Sequence, residues 1–192
     1  GCGIAAQVRV RSVDDPNVSV YLDNGVTGIV FPDVNNAQEA QRAVNAAKFA
    51  PIGKRSVCGG YPHFDYAAVP LTESVPALND AAIVVCMIET VEGLRNVEAI
   101  AAVPGVDVIH VGSNDLLVTA LLMALPLAAQ ERAIAAAKAH GKFAGIGGNR
   151  DVQRQVKAIQ KGCLYVTTQT DIGFLSAAAN QWTRGVREAL AS

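Results

Sequence analysis

Ile83-Val84-Val85-Cys86-Met87-Ile88-Glu89, followed after a helical spacer by Val106-Asp107-Val108-Ile109-His110-Val111-Gly112-Ser113-Asn114-Asp115, is the stretch that decides the fold. Both apolar runs are short, rich in β-branched residues and unbroken, as expected of strands buried on both faces of a parallel sheet. In the spacer, Val91, Leu94, Val97 and Ile100 recur at helical spacing, and Pro104-Gly105 forces a turn. The pattern is one strand-helix-strand unit. Parallel neighbours that end in acids bring Glu89 and Asp115 to the same mouth of the sheet, where α/β proteins place their active sites. Two adjacent carboxylates repel unless a positive charge lies between them. A hard divalent cation, Mg²⁺ or Mn²⁺, meets that need and leaves coordination positions open for substrate. The plainer alternative makes Glu89 a first-turn helix acid and Asp115 a cap, each stabilising by ~0.3–1 kcal/mol.

Outward from this unit the alternation continues. Ile4 to Val10 reads as a strand ending near Arg9, and Asp14-Asp15-Pro16 as a helix start running to Asn24-Gly25. Gly28 to Pro32 is the next strand, and Asn35 to Phe49 an alanine-rich helix. Ala50 to Asn79 is a long Gly- and Pro-bearing loop of the kind that is usually functional, with a short helix expected over Thr72 to Leu78. After Asp115 come a helix over Leu127 to His140, a strand over Lys142 to Gly148, a helix over Asp151 to Lys161, a strand over Cys163 to Thr168 and a closing helix over Ser176 to Leu190. Six strands alternating with helices predict a (β/α) barrel or an open doubly wound sheet. Gly145-Ile146-Gly147-Gly148 lacks the spacing of a dinucleotide fingerprint.

The chain has 192 residues, 51% of them hydrophobic and 17% charged, enough for one domain over residues 1–192. A net charge of -1 argues against nucleic acid as partner. Cys2, Cys58, Cys86 and Cys163 are scattered, and two fall inside apolar runs, so they read as reduced buried thiols. The longest apolar stretch, Leu116 to Ala129, is interrupted by Pro126 and too short to span a bilayer. A cytoplasmic protein with no membrane partner is expected.

Met87-Ile88-Glu89-Thr90 and Val111-Gly112-Ser113-Asn114-Asp115-Leu116 resemble the two metal-ligand motifs of the HpcH/HpaI aldolase family, class II pyruvate-dependent aldolases. The resemblance covers nearly the whole chain, and the separation of 26 positions from 89 to 115 also suits that family. It implies a (β/α)8 TIM barrel of the phosphoenolpyruvate/pyruvate type. About six of the eight β-α units are present here, beginning at what would be the third strand. It implies a lyase that makes or breaks the bond between a pyruvate enolate and an aldehyde, with Mg²⁺ or Mn²⁺ on Glu89 and Asp115. Gln7-Val8-Arg9-Val10 resembles the family's catalytic-arginine strand. Arg9 is therefore the candidate to stabilise the enolate oxygen, its plainer role being a surface pair with Asp14 or Asp15. Backbone N–H groups of Gly112, Ser113 and Asn114 are candidates for the substrate carboxylate.

The family's base histidine belongs to a strand not found in this sequence. Of the three histidines, His110 reads as a satisfied core residue facing the helix-sheet layer, His140 as a helix-terminal cation, and His63, on the long loop, as the one base candidate. Alternatives are a citrate-lyase-β or malyl-thioester-type lyase, and a truncated non-catalytic homologue that binds metal or subunits only. In this family subunits assemble as trimers or hexamers, so a homo-oligomer is expected through Trp182, Val186 and Leu190. The apolar segment from Leu116 to Leu127 is expected at an interface or across missing residues.

Overall fold

The computed structural model describes residues 3–112, 126–148 and 151–191. Six parallel strands lie in sequence order: β1 (Gln7–Arg9), β2 (Gly28–Phe31), β3 (Ile83–Ile88), β4 (Val108–Gly112), β5 (Phe143–Gly147) and β6 (Cys163–Val166). Between them run α1 (Val18–Asp23), α2 (Ala37–Ala47), α3 (Leu71–Ala81), α4 (Val91–Arg95), α5 (Val97–Ala101), α6 (Pro126–Ala139) and α7 (Val152–Lys161), and α8 (Asp171–Ala191) closes the chain. Cys2, Ser113, Asn114, Asp115 and the apolar segment over residues 116–125 lie outside the described residues.

Alternation sorts the strand side chains into two sets. Ile29, Phe31, Val84, Cys86, Ile88, Ile109, Val111, Ala144 and Ile146 face outward into the main core, where α2, α5 and α6 cover them. On α6 the small residues Ala133, Ala136 and Ala137 are buried, which lets the helix lie close to β4 and β5. The opposite set lines the concave face. Between β5 and β6 the register slips at Ala144/Gly145, so that Gly145 stands opposite Tyr165. That slip turns Tyr165 inward, and its hydroxyl donates to Gln7 Oε1 at 2.6 Å. The sheet is thus curled until side chains of its first and last strands touch, although no backbone ladder joins them. The result is an α/β fold with a six-stranded parallel half-barrel.

The N-terminal ends of the strands are closed by polar struts. Lys48, buried after α2, donates from Nζ to Asn79 O at 2.7 Å and to Ala82 O, and lies 3.3 Å from the Asp107 carboxylate. Asp107 in turn accepts from the Val84 N–H at 2.8 Å. Arg55 pairs with Asp23 at 2.5 Å and lies over the Phe49 ring at 4.4 Å. These links pin the long connection between α2 and α3 to this end of the sheet. The loop that carries His63, expected from the sequence to lie over the active face, is at the other end: an α-to-β connection in a parallel sheet returns to the strand starts, far from the mouth.

Candidate functional site

The mouth is built from the turns that leave β2, β3 and β4. Thr90, not Glu89, caps α4: its Oγ1 accepts from the Gly93 N–H at 2.9 Å, and Glu92 is the acid of the first turn. The helix-acid alternative for Glu89 is thereby set aside. Glu89 lies one residue before the cap, 4% exposed, with its carboxylate turned toward β4. A side chain at Gly112 would collide with it, since a Cβ there would stand 2.5 Å from Glu89 Oε1. On the other side, Glu89 Oε2 accepts from the Asp33 N–H at 3.2 Å. Asp33 has a left-handed backbone, φ 52°, in the turn after β2, and this aims its amide at the carboxylate.

The turn is held from behind. Asn36 caps α2 by accepting from Glu39 N, while Glu39 Oε2 accepts at 2.7 Å from the N–H of Asn35, the residue before the cap. Asn35 also accepts from Thr90 Oγ1 and, through its carbonyl, from Asn96 Nδ2 at 2.8 Å. The two loops that flank Glu89 are therefore fastened to each other.

Arg9, Glu89 and Gly112 line one cavity of about 340 Å³ on the concave face. Arg9 is exposed, and no other lysine or arginine is among the described residues that line this cavity. Its surface alternative is taken by others: Asp14 pairs with Arg42 at 2.9 Å, and Asp15 accepts from the backbone N–H groups of Asn17 and Arg11. Ser113, Asn114 and Asp115 lie outside the described residues. Among the described residues no three His, Cys, Asp or Glu side chains cluster to hold a metal. What the described part contributes is one buried carboxylate that lies against Gly112 and lines the cavity. This fits an oxygen-ligated divalent cation with further positions supplied from elsewhere.

Two histidines differ from expectation. His63 lies at the opposite end of the sheet, in the turn Pro62–Phe64, where Pro62 packs against Gly25. That position removes it as a base at the mouth; burial, and then the nearby Arg55 charge, lower its pKa. His110 faces the cavity instead of the helix layer. It is 3% exposed, its Nδ1 has no hydrogen-bond partner among the described residues, and burial lowers its pKa to about 4. The signal was present in the strand parity: His110 is two positions before Gly112, so both point to the same face as Glu89. Gln7, Tyr165 and Thr167 also line the cavity and were not anticipated.

The described cysteines are Cys58, which is half-buried, Cys86 and Cys163, all free. Cys86 and Cys163 are buried, and burial pushes the Cys86 thiol up to about 12. No helix among the described residues is long and apolar enough to cross a membrane.

A parallel β/α half-barrel with a buried carboxylate, an arginine and a glycine at the C-terminal ends of its strands has its candidate site where β/α barrels carry theirs. Comparison gives the particular family: the profile of HpcH/HpaI aldolase/citrate lyase matches residues 1–178, and the chain belongs to that family. A 4-hydroxy-4-methyl-2-oxoglutarate aldolase of Chaetomium globosum is 39% identical over 140 residues, 68% of this chain and 51% of that protein. A hydroxypyruvate/pyruvate aldolase of Rhizorhabdus wittichii is 32% identical over 185 residues, 91% of this chain and 70% of that protein. The solved structure of an HpcH/HpaI aldolase from Desulfitobacterium hafniense superposes with a TM-score of 0.88 at 27% identity, covering 97% of this chain and 73% of that one. The chain thus spans about half the length of the first of these relatives.

The depressed His110 pKa has a stability consequence. The unfolded chain takes up this proton near the ordinary value of 6.5, and the folded chain only near 4. The contribution is therefore fully present above pH 6.5 and is lost as the pH falls toward 4. Denaturant titrations at pH 7 and pH 4.5 are expected to show that His110→Phe removes a pH-dependent loss on the order of 2–3 kcal/mol. An identical pH dependence in wild type and variant would contradict the burial assigned to this ring.

Proposed function

We propose that the protein is a class II, divalent-metal-dependent aldolase that forms or cleaves 4-hydroxy-2-oxo acids through a pyruvate enolate, with oxaloacetate decarboxylation as a side activity. The observation that carries this is the meeting of Glu89, Arg9 and Gly112 around one cavity, with Asp115 three residues further along the chain. Family membership supports it, as do relatives named as aldolases of 2-oxo acids. The barrel is read as (β/α)8 of the phosphoenolpyruvate/pyruvate type, of which the six-stranded curled sheet, with β1 and β6 at its edges, is the described part.

Glu89 and Asp115 hold Mg²⁺ or Mn²⁺, which when bound polarises the keto group of the 2-oxo acid. Arg9 offers a planar fork of N–H donors to the oxygen that becomes negative when a proton leaves C3. The N–H groups of Gly112, Ser113 and Asn114 receive the substrate carboxylate. Asp33 N–H and the Asn35–Thr90 contact keep the Glu89 carboxylate against Gly112 at the cavity. A citrate-lyase-β or malyl-thioester lyase would need a cluster of lysines or arginines to grip a nucleotide, and the described lining offers Arg9 alone.

The subunits assemble as a homo-oligomer, a trimer or hexamer as the family resemblance implies. In support, α8 exposes Leu175, Trp182, Val186 and Leu190, spaced by seven, four and four residues and so on one helical face. Exposed apolar surface of this extent marks an interface.

Calorimetry with Mn²⁺ should show binding to the full-length protein that falls by at least about tenfold in Glu89→Gln, which removes a charged oxygen ligand; undiminished affinity would dismiss Glu89 as a ligand. Sedimentation at low micromolar concentration should give an oligomer that Trp182→Glu dissociates, whereas a stable wild-type monomer would refute the assembly.

A further inference from the structure

Beneath Arg9 three side chains meet across the inside of the sheet. Gln7 lies two residues before Arg9 on the same inward face, one row nearer the strand starts. Its side chain leans over Gly28, its partner on β2, where a Cβ would stand 3.0 Å from Gln7 Cγ and 3.1 Å from Cδ. From the other edge of the sheet, Tyr165 reaches the Gln7 amide with its hydroxyl. The separation of 2.6 Å is an O–H···O length, shorter than an ordinary N–H···O bond, so the amide oxygen of Gln7 faces the phenol. His110 holds the Tyr165 ring edge-on, with centroids 5.3 Å apart and planes at 85°. Gly145 leaves room for both rings, since a Cβ there would stand 2.8 Å from His110 Nδ1 and 2.9 Å from Tyr165 Cδ1. Packing against His110 asks only for phenylalanine; the hydroxyl adds a bond that ties the first strand to the last.

Arg9 has little else to hold it. It is exposed, and none of the ion pairs among the described residues includes it. A long side chain that must meet an oxygen only as that oxygen becomes negative works best when it is placed beforehand, because freedom lost at that moment raises the barrier. With Gln7 spread over Gly28 and tied by Tyr165, the level directly below Arg9 is occupied, which leaves its guanidinium the mouth, where it lines the cavity with Glu89.

We infer that Tyr165 and Gln7 are positioning residues that act through Arg9, holding its guanidinium at the mouth for the enolate oxygen. The inference rests on the aldolase function proposed above. Neither residue need touch the substrate, and neither touches the carboxylate that would hold the metal.

The test is a double-mutant cycle on the full-length protein: Tyr165→Phe alone, Arg9→Lys alone and the two together, with Gln7→Leu removing the same bond from its other end should the first variant fail to fold. Two quantities are read. One is kcat and KM for cleavage of a 4-hydroxy-2-oxo acid with Mg²⁺; the other is the calorimetric affinity of the Mn²⁺-loaded protein for oxalate, a planar dianion shaped like the pyruvate enolate. Tyr165→Phe and Gln7→Leu should each lower kcat and oxalate affinity about threefold to tenfold, the worth of one net hydrogen bond, with KM and Mn²⁺ affinity changed by less than about twofold. In the Arg9→Lys background Tyr165→Phe should have no further effect. Wild-type values in Tyr165→Phe overturn the inference, as does an equal loss with and without Arg9, or a matching loss of Mn²⁺ affinity, either of which marks a tie that only supports the fold. A wild type that binds oxalate but cleaves no 4-hydroxy-2-oxo acid refutes the aldolase proposal, and the cycle on oxalate affinity then decides the positioning. A wild type that does neither overturns both.

Discussion

A buried carboxylate at the end of β3 is the constraint on which the rest of this structure depends. Removing a charged group from water costs several kcal/mol unless hydrogen bonds or a counter-charge offset it. Glu89 is 4% exposed, and its surroundings are arranged around that cost. A left-handed turn at Asp33 supplies an N–H, Thr90 takes over the capping of α4, and the facing strand carries glycine where any side chain would strike Oε1. Each device is local, and each comes from a different strand end. The fastening of Asn35 to Thr90 and Asn96 makes these loops one rigid frame.

The sheet divides labour between its two ends. At the strand starts, charges are paired and buried for stability: Lys48 against two carbonyls and Asp107, Arg55 against Asp23 under the ring of Phe49. At the strand ends, the polar groups face a cavity. Glycines repeat at the inward positions of β4 and β5 because a curled sheet brings these strands' inner faces close to Glu89 and His110. A side chain at Gly112 would strike Glu89, and one at Gly145 or Gly147 would strike the His110 ring.

Much of this was legible in the sequence. The buried strands β3 and β4 announced themselves as unbroken β-branched runs, and Glu89, Arg9 and Gly112, singled out by position at strand ends and by family resemblance, meet around one cavity. Asp115 lies beyond the described residues, so its place is a proposal. Local signals misled where tertiary contacts claimed the same residues. Asp14-Asp15-Pro16 reads as a helix start, yet α1 begins at Val18, because Asp14 is drawn to Arg42 and Asp15 to the amide of Asn17. The closing helix begins at Asp171, five residues early, since Thr170 Oγ1 accepts from Gly173 N and turns an apparent breaker into part of the first turn. His110 was placed on the wrong face although its parity with Gly112 was available. Tyr165 could not be placed from alternation, because the register slip beside Gly145 reverses the parity of β6.

The proposed chemistry stands or falls on whether the mouth generates a pyruvate enolate with the help of a metal held by Glu89. Deuterium exchange at C3 of pyruvate, followed by proton NMR in D₂O, observes that step without an aldehyde. The full-length protein should exchange the methyl protons with Mg²⁺ present, and exchange should cease with EDTA and in Glu89→Gln. Exchange that persists undiminished in chelator or in that variant would contradict a metal-assisted enolate at this site.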